Sequence, residues 1–234
     1  MKILTILAVS GLAVSSSAMA QTTDVETGGL YVGGHVSYSN RESDWLDLGA
    51  GPLGGHDANG VQLGVQAGYD FDLGPVFVGV DGRFSPIGQS GRHVDLIFGN
   101  ITPYTEREHS KELWNASISG RIGANVGQLR VYGKVGMALS RKRYQLTGYF
   151  GPDEFFAEKT STRKGLLVGG GLEQKIAPRV SMFLEYDYVD FGRKLEKLNC
   201  TDTHPNCGTL YPSYVPISLK NTNNRITVGI NYHF

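Results

Sequence analysis

Beyond Gly29 the chain returns again and again to one pattern, in which apolar and polar side chains alternate for about ten residues before the alternation stops. The last stretch is the cleanest. Ile226, Val228, Ile230, Tyr232 and Phe234 are apolar, Arg225, Thr227, Asn231 and His233 are polar, and Gly229 is small. A period of two belongs to a β-strand with one greasy face and one wet face. Seven earlier segments carry the same signal. Their apolar sets are Leu30, Val32, Val36 and Tyr38, then Val61, Leu63, Val65, Ala67 and Tyr69, then Val76, Val78, Val80 and Phe84. Next come Trp114, Ile118, Ile122 and Val126, then Leu129, Val131, Val135, Met137 and Leu139. Leu166, Val168 and Leu172 form a weaker set, and Val180, Met182, Leu184, Tyr186 and Tyr188 a strong one. The pattern predicts eight strands and an all-β fold.

The connections alternate in length. "DFDLGP", "GQ" and "QKIAPR" are hairpin-sized and hold the Gly, Pro and Asp that tight turns use. Between them lie long polar stretches around 39–60, 85–112, 140–164 and 189–224. A compact soluble domain seldom carries four such loops. Short turns at one end and long loops at the other describe an eight-stranded antiparallel transmembrane β-barrel, with periplasmic turns and extracellular loops. Strands of about ten residues, at ~3.3 Å each and tilted near 45°, rise roughly 23 Å, close to the apolar band of such barrels. Closure leaves no strand edge unpaired in lipid. A soluble barrel would turn its apolar face inward, yet the opposite face here collects Asp, Glu, Arg and Lys among glycines. That suits a filled polar lumen.

Composition adjusts this picture in four places. Lys2, the run "ILTILAVSGLAV" and "SSSAMA" have the order of a secretory signal peptide, so residues 1–20 are expected to be removed and 21–234 to form the barrel domain. The formal net charge is zero, with 22 basic and 22 acidic residues, which provides no basic field for nucleic acid. The mean hydropathy is −0.19, and every later apolar run is broken by Gly or a polar residue, so no transmembrane helix is expected. The only two cysteines, Cys200 and Cys207, are close enough for a disulfide around a small loop. Metal binding is the rival, with only His204 between them and no second ligand pair of zinc spacing.

The inward face is expected to hold Asp81, Arg83, Arg121, Arg130, Lys134, Glu173, Glu185, Asp187 and Arg225. Buried charges must pair, because an isolated one costs several kcal/mol. Arg130 and Glu173 should sit low on neighbouring strands, and Asp81 and Arg121 near mid-height on another pair. The network reads as a salt-bridged plug, with a gated ion path as the alternative. His35 and Ser37 share a face, so a nucleophilic serine with a histidine base has to be weighed. Parity puts both in the lumen and no orienting carboxylate is evident. "GLLVGGGLE" lacks the Lys-Ser or helix of a phosphate-binding loop. "SRKRYQ" at the outer end of the fifth strand is a basic cluster that is either solvated or set against acidic lipopolysaccharide groups.

The opening strand "GLYVGGHVSYS", the closing "RITVGINYHF" and the signal peptide resemble the opacity-type, OmpA-like outer-membrane surface proteins of Gram-negative bacteria, with alphaproteobacterial surface antigens nearest in character. The resemblance implies an eight-stranded barrel in the outer membrane, in contact with its lipids and lipopolysaccharide. It also implies that Tyr232 and Phe234 form the signal read by the barrel-assembly machinery. The expected role is structural and surface-interacting, carried by the loops toward an extracellular partner, without a cofactor or catalysis. A small passive pore and, further off, a lipid A-modifying hydrolase are the alternatives.

Overall fold

The computed structural model describes residues 28–47, 51–86, 90–98, 103–150, 153–200 and 214–234. The expected signal peptide and Cys207 lie outside the described residues. The strands are β1 (Gly29–Asp47), β2 (Gly51–Asp72), β3 (Val76–Ser85), β4 (Ser90–Phe98), β5 (Pro103–Val126), β6 (Leu129–Phe150), β7 (Asp153–Ala177), β8 (Val180–Cys200) and β9 (Tyr214–His233). All pairings are antiparallel, in the order β3-β2-β1-β9-β8-β7-β6-β5. β3 closes the ring by pairing with the lower half of β5, from Val76↔Ala124 to Ser85↔Asn115. β4 continues the same wall upward against the upper half of β5, from Ser90↔Lys111 to Phe98↔Pro103. The ring therefore has eight walls, one of them built from two strands.

The first and last strands meet from Tyr31↔His233 to Asp47↔Ile217, and the Phe234 amide donates to the Leu30 carbonyl at 3.1 Å. At the lower end the turns are tight. Gly127 has φ +63 in the turn between β5 and β6, a left-handed conformation that glycine adopts without a Cβ penalty.

At the upper end most of the length read as loop is paired strand. β1 and β2 stay paired as far as Asp47↔Gly51, with one register shift between Trp45 and Leu46, and β6 and β7 stay in register as far as Phe150↔Asp153. The four long connections are thus mainly a barrel wall that continues past the membrane. Below, the wall is apolar outside and charged inside: Ile118 and Ile122 are 65% and 63% exposed, whereas Lys134 and Glu185 are buried. Above, the arrangement inverts. Arg141, Arg143, Lys197 and Lys220 face outward, while Trp45, Tyr144, Leu146, Ala157, Leu198, Ile217 and Leu219 form an interior apolar cluster. A strand surrounded by lipid keeps its charges inside, and the same strand surrounded by water hides its apolar groups there.

One seam interrupts the wall. Between β7 and β8 the register breaks from Glu158↔Asn199 to Leu166↔Asp190, next to Gly192 at φ +62. The buried Arg163 guanidinium fills this opening, donating to the carbonyls of Phe191 at 3.2 Å, Gly192 at 2.9 Å and Leu219 at 3.2 Å. Carbonyls that lose their ladder partners find a donor there instead of remaining dry and unpaired.

Candidate functional site: the charged interior

The inward positions of each strand follow from parity, and glycines on the same face make room for what they point at. A Cβ at Gly68 would overlap the Tyr31 phenol, and one at Gly229 would overlap the Phe183 ring. The interior is therefore filled by a few long side chains, not by uniform medium-sized ones.

Near the periplasmic end, Asp70 holds two guanidiniums. Arg121 donates from Nε to Asp70 Oδ1 at 2.8 Å and from Nη2 to Oδ2, and Arg130 Nη1 reaches Oδ2 at 2.9 Å. Arg121 also reaches Glu173 at 3.4 Å, and Glu173 accepts from Ser181 at 2.5 Å and from Asn231 at 3.0 Å. Aromatic faces close in around these cations. The Arg121 guanidinium lies 4.6 Å from the Tyr31 ring centroid and 5.2 Å from that of Tyr132, and Arg130 lies 3.7 Å from Phe77.

One layer higher, Arg83 binds Asp81 at 2.9 Å and Glu185 at 2.7 Å. Lys134 bridges Glu185 at 2.6 Å and Asp187 at 3.0 Å, and Arg225 holds Asp187 at 2.7 Å. The two layers are stitched together by phenols: Tyr31 donates to Asp81 at 3.1 Å and Tyr132 to Glu185 at 2.5 Å. Arg130 and Glu173 are directly opposed in register. Asp81 and Arg121 occupy neighbouring strands but engage other partners, Asp81 binding Arg83 and Arg121 binding Asp70.

Asp70 is the residue the sequence reading missed. It sits in "DFDLGP", which looks like a turn, yet it continues the inward parity of Gln62 and Gln66 and is 1% exposed. With it the two layers hold five basic groups (Arg83, Arg121, Arg130, Lys134, Arg225) against five acidic ones (Asp70, Asp81, Glu173, Glu185, Asp187). The parity signal was available, and the turn composition masked it. A third polar layer was missed as well, because its charged residues lie in stretches read as loop. Arg41 binds Glu112 at 2.9 Å, Gln62 donates to Glu112 at 2.6 Å, and Lys142 lies 3.4 Å from Asn221.

His35 and Ser37 both point inward but not at each other. The His35 ring approaches Ser85 at 3.4 Å, and Ser37 bonds Thr227 at 2.9 Å. The serine has no histidine base. Tyr232 and Phe234 project from the opposite, outward face, with ring centroids 5.3 Å apart and Phe234 67% exposed. Tyr69 and Tyr232 flank β1 on its two sides, and Phe71 stacks beside Tyr69 at 4.7 Å, so aromatics mark the lower edge of the apolar wall. Cys200 packs against the upper apolar cluster, while its expected partner lies outside the described residues.

Comparison with known proteins agrees with this geometry. The chain is similar to a 22 kDa outer membrane protein of Rhizobium leguminosarum bv. viciae, at 26% identity over 71% of this chain and 65% of the relative, so it spans just under two thirds of that relative's length. Among solved structures it resembles the outer membrane protein OprG from Pseudomonas aeruginosa, with a TM-score of 0.54 and 12% identity over 88% of this chain and 96% of that one. It also resembles the outer membrane protease OmpT from Escherichia coli, with a TM-score of 0.52 and 12% identity over 93% and 99%. At such identities these two establish the fold alone. The model of the outer membrane protein beta-barrel domain matches residues 5–234, and with its apolar outer wall and charged interior the chain belongs to that family and resides in the cell outer membrane.

Proposed function

We propose that this protein is a closed, non-conducting and non-enzymatic barrel that stiffens the outer membrane and holds a rigid platform for surface contacts above it. The observation that carries this reading is the filled interior: five cations meet five anions in two layers, aromatic rings pack around and between them, and an apolar cluster sits above. An eight-stranded barrel is just wide enough for side chains to fill it, and mutually neutralised charges offer no fixed field to draw an ion through. The platform follows from the wall above the apolar band. From Arg141 to Phe150 β6 adds nine further residue steps, which at ~3.3 Å per residue and a tilt near 45° rise roughly 20 Å beyond the lipid. Paired strands with an apolar core present a fixed surface there, where a partner can be met without disturbing the wall below.

Planar-bilayer recording tests the closed lumen. The expected trace is flat over the whole voltage range, and discrete conductance steps from the purified full chain would favour the pore. Mass spectrometry of lipid A from strains with and without the gene tests the hydrolase alternative, with identical acylation expected because Ser37 is bonded to Thr227. A deletion strain should become detergent-sensitive if the barrel contributes to envelope integrity.

A further inference from the structure

Directly above the apolar wall, one side of the barrel carries a compact basic patch that the filled lumen does not involve. On β6 the outward positions run Val135, Met137, Leu139, Arg141, Arg143, so the wall changes from apolar to cationic in one step. Lys111 on β5 stands directly opposite Arg143, and Trp114 opposite Arg141. On β7, Lys164 follows the lipid-facing Leu166 and lies diagonal to Arg141, whose direct partner is Thr162. Lys111, Arg141, Arg143 and Lys164 are all exposed, and among the described residues none of them forms an ion pair with a carboxylate. Two outward acids on β7 and β8 accept from other groups: Glu158 from Gln145 at 3.2 Å, and Asp190 from the Gly192 amide at 2.7 Å. The β1 side is mixed in charge: Glu42 and Asp44 are exposed on β1, and the exposed Lys220 on β9 stands directly opposite Asp44.

We infer that this patch binds the phosphate groups of the outer leaflet's phosphorylated glycolipid, the lipid A portion of lipopolysaccharide. Two distances support that occupant. Two residues of tilted strand rise about 5 Å, so Arg141 and Lys164 stand one rung above the last lipid-facing apolar positions and Arg143 two rungs above, at the depth of the headgroup phosphates. Cross-strand and diagonal neighbours have Cβ atoms about 5–8 Å apart, a spacing at which several cations share one doubly charged headgroup whose acyl chains lie against Leu139 and Leu166. Four like charges this close repel one another unless an anion sits among them. The wall therefore prefers this lipid on the β5–β7 side over the β1 side, where acids and bases stand opposite one another. This goes beyond the closed-barrel reading and does not depend on whether the lumen conducts.

The test uses the full-length barrel in mild detergent, stripped of lipid and titrated with bisphosphorylated lipid A under native mass spectrometry. Each basic side chain near an anionic surface is worth about fivefold in partition, so exchanging Lys111, Arg141, Arg143 and Lys164 for Gln should weaken retention roughly a hundredfold or more. The control Glu42→Gln with Asp44→Asn should not weaken it. Wild-type protein should also bind dephosphorylated lipid A far more weakly and lose bound lipid as salt is raised to about 0.5 M, a measurement that needs no variant to fold. Equal retention by the quadruple variant, or indifference of the wild type to lipid phosphates and salt, would overturn the inference.

Discussion

Asp70→Asn removes one negative charge from the two lower layers of the lumen, in which ten charges cancel. In the wild type Asp70 accepts from Arg121 and Arg130, and Glu173 is the next anion, 3.4 Å from Arg121 and 4.0 Å from Arg130. After the substitution Glu173 alone faces two guanidiniums, both buried and pinned against aromatic rings that leave little room to retreat. Leaving a buried charge without its partner costs about 3–5 kcal/mol. Asp72 on the same strand is exposed and accepts from Asn125 at 2.8 Å at the water-facing end of the barrel, so Asp72→Asn should stay within about 0.5 kcal/mol. Pairing Asp70→Asn with Arg130→Gln restores neutrality and should recover a large part of the loss. Urea unfolding in lipid vesicles, followed by the fluorescence of Trp45 and Trp114, measures all four proteins. If Asp70→Asn and Asp72→Asn prove indistinguishable, water screens the lower lumen and the plugged interior is wrong.

Three further outcomes are expected. Val135→Arg, mid-wall on the lipid side and 58% exposed there, should destabilise by roughly 2–4 kcal/mol in the same unfolding assay, whereas Arg143→Glu, above the band, should change folding stability by less than about 1 kcal/mol. Deleting Phe234 removes one interfacial aromatic, worth about 1–3 kcal/mol of burial, so a preformed barrel should tolerate the loss. Membrane accumulation in cells should fall far more than that if Tyr232 and Phe234 are read during assembly, and a wild-type level would reject the assembly signal. Cys200 and Cys207 should be oxidised and reachable on intact cells, so a membrane-impermeant thiol label should attach only after reduction; labelling without reductant would sink the disulfide.

Period-two alternation exposed the eight walls and both of their faces because lipid and a charged lumen impose opposite demands on neighbouring residues. The upper halves stayed hidden for a related reason. In β9 the outward residues are Ile226, Val228 and Ile230 below, but Ser218 and Lys220 above, while Ile217 and Leu219 have moved to the inside. The alternation continues but its sign flips at the membrane surface, and a pattern that changes sign looks like a pattern that has ended. Asp70 was obscured by its company of Gly, Pro and Asp, and the role of Arg163 could not be read at all, since it depends on a register break that only pairing reveals.

That change of sign also fixes how deep the barrel floats. Sinking by one rung, about 5 Å, would push Arg141 and Lys164 into hydrocarbon, and rising by one would lift Leu139 and Leu166 out of it while drawing the exposed Asp72 and Arg179 toward it at the opposite end. Both displacements are opposed all round the ring, so the barrel has little vertical freedom and little tilt with which to absorb a bilayer of the wrong thickness. The lipids must do the adjusting, thinning or thickening around a wall whose apolar height is set, and neighbouring copies will sense one another through that deformation before they touch.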